Sequence, residues 1–203
     1  MEKLKAIFNQ VKTLALKPAE TWPTIAQEET TVMELLKGYL VYLAAVPALG
    51  QFIGYWLVGF NTHTRYGFFR FTFIESLVNA AVTFILTVIS IWAFAKLLAF
   101  FSPRFGGGDD EIPAFKLAIF GIAPCLIAGA LFVIPQLDGL VFLVGVYCLY
   151  LLYVGVPILM GTPKEKTLPY AVVVVVSLVL IAIVISAITG PLHNAFGPNL
   201  RGI

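Results

Sequence analysis

Ser76, Asn79, Ala80, Thr83, Thr87 and Ser90 lie in one long apolar stretch. On a helical wheel they fall within ~100° of one another. Hydroxyl and amide groups spaced in this way support two kinds of chemistry. They can bond across to a neighbouring helix, at roughly 0.6–2 kcal/mol each, or they can wall a polar path for an ion or small solute. Lipid satisfies neither group, so this face must meet protein or water. Serine and threonine can also bond the carbonyl four residues back, which leaves Asn79 as the member most in need of a partner. Helix packing is the favoured reading and a polar path the alternative.

Three prolines, Pro47, Pro124 and Pro157, sit inside apolar stretches. Each removes an amide donor and tends to kink its helix. A freed carbonyl at membrane depth can coordinate a cation, although neighbouring hydroxyls or water more often satisfy it. Small residues recur at Ala114, Ala118, Gly121, Cys125 and Ala128, a seam that lets another helix backbone come close. Pro47, Gly50 and Gly54 share a face in the same way. Cys125 and Cys148 sit in apolar runs and read as small buried residues.

Enzyme chemistry finds little support. The chain has no His-Glu-x-x-His, no Gly-x-Ser-x-Gly and no cysteine pair at metal spacing. No catalytic residue, metal site or cofactor is expected. His63, His193 and Asp138 are expected on one side, where solvated loop residues are favoured over a surface metal contact. Glu75 is expected to pair with Arg70 or water, and Lys96 to snorkel to the headgroups. Asp109, Asp110 and Glu111 sit where they complement the positive end of a helix dipole. Gly106-Gly107-Gly108 just before them lacks a phosphate-loop ending and reads as a flexible connector.

These residues need elements to hold them, and composition says which. Of 203 residues, 60% are hydrophobic and 12% charged, with a mean hydropathy of +0.94. A soluble domain carries about 25% charged residues, so a cytosolic globule, a disordered chain and a disulfide scaffold are all excluded. Seventeen Phe, eight Tyr and three Trp suit a bilayer with two interfaces. A net charge of +2 is too small to argue for nucleic acid.

Apolar segments at 35–59, 74–101, 113–134, 138–160 and 169–190 each reach the ~20 residues needed to cross a ~30 Å hydrocarbon core. Nothing before Leu35 resembles a signal-peptide core, so no cleavable leader is expected. With the N-terminus cytoplasmic, Lys3, Lys5, Lys12, Lys17, Lys37, Lys96, Arg104, Lys116, Lys164 and Lys166 all fall inside. Only Arg65, Arg70 and Arg201 then fall outside. This asymmetry sets the expected orientation, N-terminus in and C-terminus out. Thr31-x-x-Glu34 is a capping box at the start of the first span. Outside, Phe60, Tyr66, Phe68, Phe69, Phe71 and Phe73, with Arg65 and Arg70, form an expected interfacial anchor.

The N-terminal segment is amphipathic. Leu4, Ile7, Phe8, Val11, Leu14 and Ala15 share an arc of ~120°, flanked by Lys3, Lys5, Lys12 and Lys17. Such lysines bury their stems and keep their ammonium groups near anionic headgroups. Lying on lipid is favoured here over docking on the bundle. Pro18 ends this helix and Pro23 interrupts any continuation.

The order of several elements resembles the Yip1 family of small polytopic membrane proteins. They are Pro18-x-x-x-Trp22-x-x-Ile25, then Gly106-Gly107-Gly108 to Phe120-Gly121-x-x-Pro124, and Pro135. Tyr150-x-x-Tyr153-x-Gly155-x-Pro157 and Pro163-x-x-Lys166 follow. The resemblance implies an all-α bundle of five spans with a cytoplasmic N-terminus. Eukaryotic relatives act in vesicle trafficking and bind Rab GTPases and one another. Their acidic, Trp-Gly-Pro-bearing motif does not occur here, so the resemblance does not carry Rab binding to this chain. It looks closer to bacterial members, which implies the inner membrane.

The expected organisation is an amphipathic interfacial segment over 1–30, a five-helix transmembrane domain over 31–190 and a short extracytoplasmic tail over 191–203. The expected role is non-enzymatic: organising the bilayer or partner proteins, the partners being other membrane proteins or further copies of this chain. A small channel or transporter built on the second span and the proline-broken helices is the alternative.

Overall fold

A computed structural model describes residues 2–62 and 67–196. The architecture is a helical bundle preceded by two short helices, α1 (Glu2–Leu16) and α2 (Pro18–Gln27). Among the described residues five helices are long and apolar enough to cross a membrane: span one Val32–Val58, span two Phe73–Phe105, span three Glu111–Val133, span four Pro135–Met160 and span five Lys164–Thr189. The backbone of span five stays helical to Phe196, past the expected limit at residue 190.

Local chemistry sets the span starts. The Thr31 hydroxyl accepts from the Glu34 amide at 3.3 Å while Glu34 accepts from the Thr31 amide at 2.9 Å. Span two begins with a second capping box, Thr72 and Glu75. Glu75 is therefore engaged with the Thr72 amide, at 2.7 Å, and not with Arg70, which donates to the carbonyl of Leu57. Asp110 caps span three by accepting from the Ile112 amide at 3.1 Å.

Between spans one and two, β1 (Phe60–Thr62) pairs antiparallel with β2 (Gly67–Phe69) in a short hairpin that the sequence reading did not anticipate. Of the aromatic anchor expected here, Phe71 packs 5.1 Å from Tyr55, and Phe73 lies 5.5 Å from Phe52 and 5.1 Å from Trp56. These rings close on the end of span one. His63, Arg65, Tyr66 and Arg201 lie outside the described residues.

Span three is the axis of the bundle. Over its apolar window 56% of residues are buried, against 17–33% for the other four spans. The small-residue seam explains the close packing. A Cβ on Gly121 would collide with Leu152 of span four, and one on Gly50 would lie 2.5 Å from the Gly129 carbonyl oxygen. Gly54 meets the Phe132 carbonyl, and Gly129 in turn faces Pro47. The Pro47-Gly50-Gly54 face of span one thus lies directly on the backbone at the end of span three.

Candidate functional site

The polar face of span two turns onto span one. The Thr83 hydroxyl donates to Gln51 Oε1 at 2.8 Å and lies 3.5 Å from Asn79 Oδ1. Ser90 donates to the Leu86 carbonyl of its own helix at 2.5 Å. Ser76 is fully buried with its hydroxyl unpartnered, while Asn79 and Thr87 are half-buried. Gln51 was missed from sequence. It is the polar residue of span one that meets this stripe, and its place beside Gly50 on the packing face was the available signal.

Helical backbone continues through Pro47, Pro124 and Pro157. Irregular winding occurs elsewhere. Span one is π-helical at Leu36–Leu40 and Gly54–Val58, and span three tightens to a 3₁₀ helix at Gly129–Val133. The first π segment lies away from Pro47, so it owes nothing to the missing proline amide.

The N-terminal helices depart further from expectation. They fold back on each other about Lys17, with Gln10 Nε2 donating to Glu28 Oε1 at 2.8 Å. The apolar arc of α1, expected to lie on lipid, is shared. Ile7, Val11 and Leu14 are buried in the common core, whereas Leu4 and Phe8 stay about half exposed. The physical reason is α2, which supplies a protein surface for that arc. Of the lysines expected to face lipid, Lys5 and Lys12 are exposed and Lys17 pairs with Glu20 at 3.2 Å. The side chain of Lys3 lies outside the described residues.

Three long-range contacts dock this helix pair. Trp22 is wholly buried, and its indole N–H donates to the Leu151 carbonyl of span four at 3.1 Å. Its ring packs on Gly155, where a Cβ would come within 2.8 Å of it. The Tyr147 hydroxyl donates to the Ala15 carbonyl at 2.6 Å. Lys116, 3% exposed in span three, donates to the carbonyls of Ile25, Ala26 and Glu28. From sequence Lys116 was only one basic residue among ten; its depth within an apolar helix was the signal that it needed acceptors.

At the Arg104 end of the bundle the glycine triplet is pinned. The Gly107 amide donates to the Ser102 carbonyl and the Gly108 amide to Met160, each at 3.0 Å. Gly106 takes φ +77°, and a Cβ on Gly107 would strike Ser102 Oγ. The triplet is therefore a fastening between spans two and four rather than a flexible connector. Beside it, the buried Tyr170 hydroxyl of span five donates to the Leu98 carbonyl at 2.6 Å, and its ring stacks 5.2 Å from Phe105.

Lys96 does not snorkel freely, because Glu111 holds it at 2.6 Å. Cys125 and Cys148 face each other as free thiols between spans three and four. Among the described residues no group of three or more His, Cys, Asp or Glu could hold a metal ion.

No curated protein and no solved structure matches the chain. The Yip1 domain model matches residues 11–186, a stretch that contains the Trp22 anchor, all the docking contacts above and nearly all of the five spans. The chain is thus a membrane protein of the Yip1 family.

Proposed function

We propose that this chain is a non-enzymatic membrane organiser, scaffold-like in the manner its family suggests, which gathers lipids, copies of itself or other membrane proteins around a packed bundle. One observation carries this reading: the Thr83 hydroxyl is spent on Gln51 of span one, at 2.8 Å. A stripe built to conduct would keep such groups open to water, whereas one built to pack engages them across a helix contact. Ser76, fully buried and so closed to water, supports the same reading. The proposal places the N-terminus and the lysines on the cytoplasmic side of a bacterial inner membrane, with exposed Lys5 and Lys12 near anionic headgroups. Rab GTPase binding is no part of it.

Half-buried Asn79 and Thr87 keep a polar path as the rival reading. Purified chain in sealed liposomes, assayed with a panel of ions and small solutes, separates the two. A defined oligomer or co-purifying membrane partner without flux is the expected result. Flux that disappears in Asn79→Leu would replace the organiser with a channel. Tags at the two termini, probed in sealed vesicles, are expected on opposite sides.

A further inference from the structure

Span two and the loop leading to span three enclose an open cleft of about 670 Å³ lined by Trp92, Lys96, Phe100, Asp109 and Glu111. The charges that line this cleft are Lys96, Asp109 and Glu111, and Arg104 lies beside it, over the ring of Phe100. Lys96 lies 2.6 and 2.7 Å from the two Glu111 carboxylate oxygens and 5.8 Å from the Trp92 ring centre. The Arg104 guanidinium sits 4.6 Å over the ring of Phe100, a lining residue. Among the described residues neither Arg104 nor Asp109 has an ion-pair partner, and both are exposed.

An open cation and an open carboxylate at one aromatic cleft complement a ligand that carries both signs. A guanidinium takes a phosphate through paired N–H donors. A carboxylate takes a primary ammonium, while the Phe100 ring holds the Arg104 guanidinium beside the cleft. The rest of the ligand is indicated by the surface running from the cleft. Trp92, Ile89, Ile85 and Leu77 follow one face of span two, exposed by 45%, 54%, 53% and 50%. That apolar track suits an acyl chain, and a water-soluble zwitterion would leave it unused.

We propose that this cleft holds a zwitterionic aminophospholipid of the phosphatidylethanolamine type. Its phosphate lies on Arg104 and Lys96, its ammonium on Asp109, and one acyl chain along Trp92, Ile89 and Ile85. A headgroup with only negative charge has no ammonium to offset the unpaired Asp109, which repels it. A trimethylated amine has no N–H to give Asp109.

The test uses the full chain reconstituted in vesicles with equal parts phosphatidylethanolamine, phosphatidylglycerol and phosphatidylcholine, then released in mild detergent. Lipid retained on the protein is counted by native mass spectrometry. Phosphatidylethanolamine is expected to be retained over both others, and Arg104→Gln and Asp109→Asn each to lower it about three-fold. Ser177→Ala, whose hydroxyl bonds within its own helix, is expected to leave retention unchanged. Asp109→Asn also removes repulsion from phosphatidylglycerol, so the ratio of the two lipids moves toward one, which general unfolding would not produce. Equal retention of the three lipids by the unaltered chain overturns the proposal, as does a preference for phosphatidylglycerol. Ethanolamine-lipid retention that both charge variants leave intact overturns it equally.

Discussion

The ammonium nitrogen of Lys116 lies 2.7 Å from the carbonyl oxygen of Ile25, inside the closing turn of α2. The same nitrogen donates to Ala26 at 3.1 Å and to Glu28 at 2.6 Å. The last carbonyls of a helix have no partner within it, and they carry the negative end of its dipole. An ammonium has three donors, and here all three are used on such carbonyls. A charge that would be costly inside a membrane bundle is thereby stabilised by the carbonyls of a helix end. The same contact fixes where α2 sits.

Replacing this ammonium should loosen the N-terminal helices without disturbing the spans. Lys116→Met is expected to cost on the order of 3 kcal/mol, since charge-assisted bonds are lost and the carbonyls at the end of α2 are left bare. The readout is trypsin cleavage after Lys5 and Lys12 in the folded protein, which should speed up strongly. Lys116→Arg should fall between, because a planar fork cannot aim its donors as a tetrahedral ammonium does. Unchanged cleavage in Lys116→Met would remove the anchoring role.

Gly155 is the floor under Trp22. A Cβ there would lie 2.7 Å from Leu117 Cδ1 and 2.8 Å from Trp22 Cε2. Gly155→Ala should therefore displace the indole, break its bond to Leu151 and cost about 1–3 kcal/mol. With Trp56 and Trp92 replaced by Phe, the emission of Trp22 is expected to shift to longer wavelength in Gly155→Ala. An unshifted spectrum would mean that span four yields instead of Trp22.

What sequence could disclose follows from the range of the forces involved. The segment expected at 113–134 appears as Glu111–Val133, and that at 138–160 as Pro135–Met160. Hydropathy over about 20 residues decides both. The capping box of Thr31 and Glu34 is equally local. Lys116 and Ile25 are 91 positions apart, and nothing in the neighbourhood of either states that the other is its partner. Ile7, Val11 and Leu14 show the limit most clearly: an apolar arc requires an apolar cover, but its pattern is the same whether lipid or α2 and span three provide it.

The divided face of α1 gives a direct measurement. Phe8 is 53% exposed and Val11 is 2% exposed. In a chain with Cys125 and Cys148 changed to Ser, a single cysteine carrying a small label at position 8 should be quenched by brominated lipid. A label at position 11 should be shielded or should disrupt docking. Equal quenching at both positions would mean that α1 leaves the bundle and lies wholly on the membrane.

Spans one and three meet through backbone, which makes their contact unusually intolerant. A methyl on Gly50 would lie 2.5 Å from the Gly129 carbonyl oxygen, and one on Gly54 would meet the Phe132 carbonyl, whereas one on Gly139 would meet nothing within 4 Å. A helix carbonyl cannot swing aside as a side-chain tip can, so either the spans separate or the helix bends. Gly54→Ala is expected to destabilise by at least about 1–3 kcal/mol, against a general helix preference for alanine over glycine of roughly 1 kcal/mol. Gly139→Ala, with that preference and no collision, should be neutral or slightly stabilising. Thermal unfolding of the two variants in one detergent gives the comparison. A Gly54→Ala protein that melts with Gly139→Ala would show that spans one and three have room between them, and the close seating of Pro47 on Gly129 would be wrong.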